Sequence, residues 1–234
     1  PKIKSDVRLD FWASTTAPAT KRERHDFELE KVNDKRFSLL MFSDSHLCDN
    51  KKNNDLKHFE ELCLPAIKRA CAQNYGTMTY AINLGDITWD RFWYETGFDI
   101  ERVPSYLSEQ GFPVPFLCVM GNHDNTFFSA SSPLQDDETS STYNLKAQRS
   151  FEDVFGPIDY SWNRGDVHIV CMRNIQYKSQ TSQSNYVIGF TDSQLEWLRQ
   201  DLSFVPKDKM VILCVHIPMS EGNLNGSTDN VKKV

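Results

Sequence analysis

Five apolar runs are spread along this chain, and each is continuous rather than alternating with polar residues. Continuous runs of strand length are typical of central strands that are buried on both faces of a sheet. The pattern predicts strands over residues 37–42, 78–84, 115–120, 167–172 and 210–215.

Between these strands, apolar residues recur at the spacing of helices. The spacing predicts helices over about residues 54–73, 90–110, 144–154 and 192–202. Pro65 falls inside the first of them and predicts a kink there. The segment 125–143 is rich in Ser, Thr and Asp and is long enough to be either a lid or a plain surface loop. Strands that alternate with helices in this way indicate an α/β fold.

Residues that can bind metal ions follow four of the predicted strands. They are Asp44-Ser45-His46, Gly85-Asp86, Gly121-Asn122-His123-Asp124 and His216. In open α/β folds the chemistry tends to lie at the carboxyl ends of strands. Each motif alone is weak, because Gly-Asp is a common turn and a histidine at a strand end is usually part of the core. All four in order, each after a buried strand, predict one shared site.

The donor types indicate which ions this site would take. Carboxylate oxygens, imidazole nitrogens and amide oxygens together favour borderline or hard divalent metals. Asp44 and His46 are two residues apart, so both side chains can reach one ion. Asp86 has two carboxylate oxygens and can bridge to a second ion, for which Asn122 and His216 supply ligands.

The ordered set of four motifs resembles the calcineurin-like metallophosphoesterase superfamily, from about residue 37 to the end of the chain. Residues 155–162 and 191–198 are also similar to that family, and in particular to bacterial members with an additional N-terminal β-domain. The resemblance implies a four-layer α/β/β/α sandwich with mixed sheets. On this basis residues 1–36 are a linker or the remnant of an upstream domain, and residues 37–234 are the phosphoesterase domain.

The resemblance also implies a role for each site residue. The five metal ligands would be Asp44 and His46 for the first ion, Asp86 as the bridge, and Asn122 and His216 for the second ion. His123 would orient the phosphoryl group and protonate the leaving oxygen, and Asp124 would hold the imidazole of His123 in position. The cofactors would be two divalent or trivalent ions, with Mn, Fe or Zn expected.

Two departures from the family pattern affect these expectations. The family has Asp or Asn three residues after the aspartate of its second motif, whereas Trp89 stands there and Asp90 follows it. The family closes its site with Gly-His-x-His, and no histidine follows His216 in this chain. Because the first residue is Pro1, we expect a fragment whose C-terminal part is missing and whose metal binding is incomplete.

Composition excludes several function classes. The net charge of −6, the pI near 5.5 and the lack of a basic block argue against a dedicated nucleic-acid binder. No run of about 18 apolar residues occurs, so the sequence predicts no transmembrane segment. No Cys-x-x-Cys pair occurs, so neither a structural zinc site nor a disulfide framework is indicated. The negative charge is compatible with an anionic substrate, because bound metal ions dominate the local field.

The sequence leaves three functions to compare. A binuclear phosphomonoesterase or phosphodiesterase, acting on a phosphorylated small molecule or a phosphoprotein, is favoured. A non-catalytic binding module of the same fold is the alternative, supported by the absent closing motif. A single-metal hydrolase of another ester is disfavoured by the pair Asn122-His123. The resemblance leaves a periplasmic or exported location open, and the sequence does not determine the oligomeric state.

An aromatic cluster follows Gly85-Asp86 and comprises Trp89, Phe92, Trp93, Tyr94 and Phe98. It would either wall a substrate pocket or pack a helix onto the core, and core packing is the favoured interpretation. Among the other histidines, His25 and His58 are expected at the surface, and His168 is expected to be structural because it lies within a predicted strand.

Overall fold

In the computed structural model of this chain, residues 36–50, 52, 55–74, 78–125, 140–177 and 186–219 are described. The interpretation of residues 1–36 as a linker or domain remnant lies outside these residues, except for Arg36. The lid or loop predicted over 125–143 also lies mostly outside them.

The first sheet is parallel and has the strand order β1-β2-β3, with β1 at Ser38–Phe42, β2 at Met78–Asn83 and β3 at Phe116–Cys118. The connection from β1 to β2 contains α1 (Asp55–His58), a π-helical turn (Phe59–Cys63) and α2 (Leu64–Gln73). The π-helical turn ends two residues before Pro65, which lacks the amide that a regular helix uses at that position, and the kink predicted at Pro65 stays a prediction.

The connection from β2 to β3 differs from the single helical stretch predicted over 90–110. It consists of a 3₁₀ turn (Asp90–Phe92), α3 (Trp93–Thr96) and α4 (Arg102–Glu109). Gly97 ends α3 with a left-handed φ of 71°, a conformation that glycine adopts without a steric penalty.

The second sheet is mixed and has the order β4-β5-β8. β4 (Tyr160–Arg164) is antiparallel to β5 (Val167–Cys171), whereas β8 (Met210–Cys214) is parallel to β5. A separate hairpin is formed by β6 (Ile175–Tyr177) and β7 (Tyr186–Ile188). The remaining helices are α5 (Ser140–Phe155) and α6 (Asp192–Ser203). The pattern analysis missed β4, β6 and β7.

The four layers predicted for the fold are seen in the packing of side chains on the two faces of each sheet. Ile82 and Val119 of the first sheet pack against Ile169 and Cys171 of the second, so the two sheets face each other. On the far side of the second sheet, Val170 and Met172 of the β5 region pack against Leu198 of α6. On the far side of the first sheet, a larger cluster joins residues of β3 to α2, α4 and α5. The fold is therefore a mixed α/β sandwich with helices on both outer faces.

None of the helices in the described part of the chain is long and apolar enough to span a bilayer. All six cysteines are free thiols.

Candidate metal centre

The loops after β1 and β2 run side by side at one edge of the first sheet. The amide of Asp44 donates to the carbonyl of Gly85 at 3.0 Å, and the amide of His46 donates to the carbonyl of Asp86 at 3.0 Å. Asp44, His46 and Asp86 all have left-handed φ angles, of 56°, 45° and 53°. Residues other than glycine rarely adopt this conformation, and strained backbone of this kind clusters at functional sites.

Asp86 lies at the centre of the site. Its Oδ2 is 3.2 Å from the Nε2 of His46 and 3.2 Å from the Nε2 of His216. The Nε2 of His216 is also 3.1 Å from the Oδ1 of Asn122, and the Oδ1 of Asp44 is 3.9 Å from the Nε2 of His46. The five residues predicted as metal ligands therefore lie together, although they come from four different loops.

Two compact groups of carboxylate and imidazole donors share Asp86. One contains His46, Asp86 and His123, and the other contains Asp44, Asp86 and His216, with the ligand atoms of each group within 4.8 Å of one another. A carboxylate common to both groups is in the position that a bridging ligand requires. Which ligand serves which ion stays a prediction.

His216 points its Nε2 into the site. Its Nδ1 donates to the carbonyl of Leu84 at 2.9 Å, which leaves Nε2 facing the oxygens of Asp86 and Asn122. In histidines that bind metals, a hydrogen bond from the other ring nitrogen fixes the orientation of the ring and its tautomer. Burial opposes the charged form of His216, but the hydrogen bond with Asp86 outweighs it and raises the pKa of His216 to about 8.

The same contacts act on Asp86. Burial alone would raise the pKa of its carboxyl group, but the hydrogen bonds with His216 and His46 outweigh burial and hold that pKa well below its usual range. Asp86 therefore stays ionised, and its side chain is only 4% exposed. A buried carboxylate flanked by imidazole nitrogens has the chemistry of a divalent metal site.

Two glycines let the loops approach this closely. At Gly85, which has a φ of 111°, an added Cβ would lie 2.5 Å from the Nδ1 of His216. At Gly121, an added Cβ would overlap the backbone nitrogen and the carboxylate of Asp86. Side chains at these positions would force the loops after β2, β3 and β8 apart.

His123 sits beside the ligand cluster, with its imidazole held by Asp90. Its Nδ1 is 2.8 Å from the Oδ1 of Asp90, which is fully buried, and its backbone amide donates to the Oδ1 of Asp86 at 2.8 Å. Its ring centroid is 5.2 Å from that of His46. Burial opposes the charged form of His123, but the hydrogen bond with Asp90 outweighs it and raises the pKa of His123.

Asp124 was expected to hold the imidazole of His123, and the structure differs. Its carboxylate accepts hydrogen bonds from the backbone amides of Asp86 at 2.8 Å, Gly121 at 2.9 Å and Thr88 at 3.1 Å. These bonds join the loops after β2 and β3. They occupy the carboxylate oxygens of Asp124 that were expected to bond to the imidazole of His123. Burial, with the nearby charge of Asp86, raises the pKa of Asp124 to about 6. The partner of the imidazole is Asp90, one place beyond the position at which the family usually has Asp or Asn.

Some residues of the aromatic cluster pack in the core, and one lines the site. Trp93 and Phe98 are buried in the main core, as the favoured interpretation predicted. Trp89 is half-buried, and its ring centroid lies 5.2 Å from that of His46 and 6.1 Å from that of His123. Trp89 therefore lines the site, and the side chain of Tyr94 is outside the described part of the chain.

Sequence reasoning missed the buried polar side chains that support the centre. Asn125, Asn174 and Tyr177 hold the backbone next to predicted ligands. Asn125 directly follows the third motif, which was its only signal. His168, predicted to be structural, is buried and bonds to Asp201 at 2.7 Å, away from the ligand cluster.

Comparisons with known proteins show the family to which this chain belongs. The family model for calcineurin-like phosphoesterases matches residues 37–233. A dimetal phosphatase from Danio rerio is similar in structure, with a TM-score of 0.50 and 13% sequence identity, over 79% of this chain and 70% of that chain. A purple acid phosphatase from yellow lupin (Lupinus luteus) seeds gives a TM-score of 0.43 and 13% identity, over 75% of this chain and 29% of that chain. The curated proteins contain no match to this sequence.

Proposed function

Because the chain belongs to the calcineurin-like phosphoesterase family, and is thus a metal-dependent phosphoesterase, we propose that it hydrolyses phosphoesters at a binuclear centre. The ligands of the two ions would be Asp44, His46, Asp86, Asn122 and His216. The observation that carries the proposal is the position of the Asp86 Oδ2, at 3.2 Å from the Nε2 atoms of both His46 and His216.

The donor set fits a pair of dications. Two carboxylates leave the pair with an excess of positive charge, which favours a phosphate anion. Once bound, two metal ions would supply Lewis acidity and lower the pKa of a water molecule toward neutrality. Mn, Fe and Zn are the expected metals, because imidazole and carboxylate ligands suit all three.

His123 would act as the general acid. With its Nδ1 bonded to Asp90, its Nε2 is left to carry the proton that the leaving oxygen needs. The raised pKa of His123 favours the protonated form that this role requires. General acid catalysis contributes roughly 10²–10⁴-fold to a rate. Asp90 would position the imidazole.

The opening of the site lies on the side of Asp44. Its side chain is 57% exposed, whereas that of Asp86 is 4% exposed. A substrate would therefore approach past Asp44 and Trp89. The substrate would be a phosphorylated small molecule or a phosphoprotein, and a comparison of monoester with diester hydrolysis would narrow this class.

The test is hydrolysis of nitrophenyl phosphate and of its bis-ester by the full-length protein with added Mn²⁺. We expect His123→Ala to lower turnover by roughly 10²–10⁴-fold with unchanged metal content. We expect Asp86→Asn to lose both metal and turnover. Full activity of Asp86→Asn would refute the assignment of the centre. No turnover of either ester with any divalent metal would favour the non-catalytic binding module instead.

A further inference from the structure

We propose that Asn174 and Tyr177 position His216 and Asn122, the two ligands of one metal ion. They would thereby set the affinity for that ion separately from the affinity for the other ion. Both residues belong to the 174–177 segment, which consists of Asn174 and strand β6 (Ile175–Tyr177). The inference rests on the binuclear centre proposed above and adds to it residues that are distant in sequence from every motif.

Asn174 fixes the backbone that follows His216. Its Nδ2 donates to the carbonyl of Ile217 at 2.7 Å, and its Oδ1 accepts from the amide of Ile217 at 3.2 Å. The carboxamide thus reproduces the pair of hydrogen bonds that a neighbouring strand would provide. Asn174 is completely buried, so loss of this side chain would leave the peptide groups of Ile217 without these partners, at a cost in free energy.

Tyr177 fixes the backbone of Asn122 in a similar way. Its hydroxyl donates to the carbonyl of Asn122 at 3.0 Å and accepts from the Nδ2 of Asn125 at 2.7 Å. Asn125 donates to the same carbonyl at 2.8 Å. Tyr177 and Asn125 are both buried. The backbone carbonyl of Asn122 is therefore held by two side chains, which fixes the backbone from which the side chain of Asn122 extends.

The 174–177 segment is itself tightly held. The side chain of Gln176 accepts from Arg173 at 3.0 Å and donates to the carbonyl of Gly189 at 3.2 Å. The amide of Gly189 donates to the carbonyl of Asn174 at 3.0 Å. Arg173 and Gln176 are both buried. These hydrogen bonds restrict the movement of the segment, because each of them would be lost if its backbone shifted.

The two ligands that the segment supports lie close together. The Nε2 of His216 and the Oδ1 of Asn122 are 3.1 Å apart, and the segment holds the backbone at both residues. Asp44 and His46 are instead held by backbone bonds to the loop after β2. The hydrogen bonds of Asn174 and Tyr177 thus reach the backbone at His216 and Asn122 and not that at Asp44 and His46, so their loss should weaken one half of the centre more than the other.

The test is metal stoichiometry, measured by mass spectrometry after equilibrium dialysis of the full-length protein against graded Mn²⁺. We expect two binding steps in the wild type. Tyr177→Phe, which removes only the hydroxyl, and Asn174→Leu should each weaken one step by about 10–100-fold, the usual effect of losing a group that orients a metal ligand. The other step should be unchanged.

The matched control is Tyr106→Phe, because Tyr106 is also buried and its hydroxyl bonds to Glu60 on a distant helical turn. Both binding steps should be unchanged in this variant. If Tyr177→Phe leaves both steps unchanged, or weakens both equally, the inference is refuted, and this holds even if Asn174→Leu fails to fold. A wild-type protein that binds fewer than two ions would refute the binuclear function itself.

Discussion

At the scale of single residues, the imidazole of His123 pairs with the carboxylate of Asp90, and we propose that the two act together in catalysis. Because the Oδ1 of Asp90 lies 2.8 Å from Nδ1, loss of its charge would lower the basicity of the ring and loosen its position. We expect Asp90→Asn to lower turnover, at most by the roughly 10²–10⁴-fold that a general acid contributes. Metal content, measured by mass spectrometry, should stay unchanged.

A double variant sharpens this prediction. Residues that act through one group have non-additive effects on turnover, so Asp90→Asn should add almost nothing in a His123→Ala background. Asp99→Asn is the control, because the side chain of Asp99 accepts a hydrogen bond from the amide of Arg102 at the start of α4, and it should leave turnover unchanged. An equal loss with and without His123 would show that Asp90 acts elsewhere.

The residues of the site differ in how far the sequence predicts them. That the five proposed metal ligands lie together was predictable, because each follows an apolar run that ends at a common edge of the fold. Asp90 was noticed but not assigned, because the spacing alone does not show that a 3₁₀ turn begins there. Asn174 and Tyr177 act on residues 43 and 55 positions away. No local pattern contains such contacts.

The same contrast holds at the scale of helices and strands. Long apolar strands and amphipathic helices were predictable, whereas β6 and β7 have three residues each. The middle residue of β6, Gln176, is buried and polar, and its side chain is satisfied by Arg173, Gly189 and Gln194. A strand stabilised by distant polar partners has no apolar run, so periodicity does not reveal it.

Helix α6 offers a test of local stabilisation. Its first turn is closed by a capping box, in which the hydroxyl of Thr191 accepts from the amide of Gln194 at 3.1 Å and the side chain of Gln194 accepts from the amide of Thr191 at 2.9 Å. We expect Thr191→Ala to lower the free energy of unfolding by about 1 kcal/mol, measured by urea denaturation. Thr191→Ser keeps the hydroxyl and should be close to wild type. Equal losses in both variants would exclude the cap as the cause.

At the scale of the whole molecule, the proposed ligands join the two sheets. Asp44, Asp86 and Asn122 follow β1, β2 and β3 of the first sheet, whereas His216 follows β8 of the second. The alternation of strands and helices predicted the fold class, because a chain of this kind has few ways to cover parallel strands. The pairing of β8 with β5 could not be predicted from the sequence, since it depends on a contact between residues about 43 positions apart.

Metal binding should therefore stabilise the domain as a unit. Ions that bind only the folded chain add about 2.7 kcal/mol per site at a free concentration of 100 times the dissociation constant. We expect Mn²⁺ to raise the midpoint of thermal unfolding, EDTA to reverse the rise, and Asp86→Asn to abolish it, because Asp86 is the ligand common to both donor groups. His58→Ala, at an exposed histidine on α1, should keep the full rise. If Mn²⁺ raised the unfolding midpoint of Asp86→Asn by the same amount, it would stabilise the protein from another site. The claim that metal at this centre stabilises the two sheets as a unit would then be wrong.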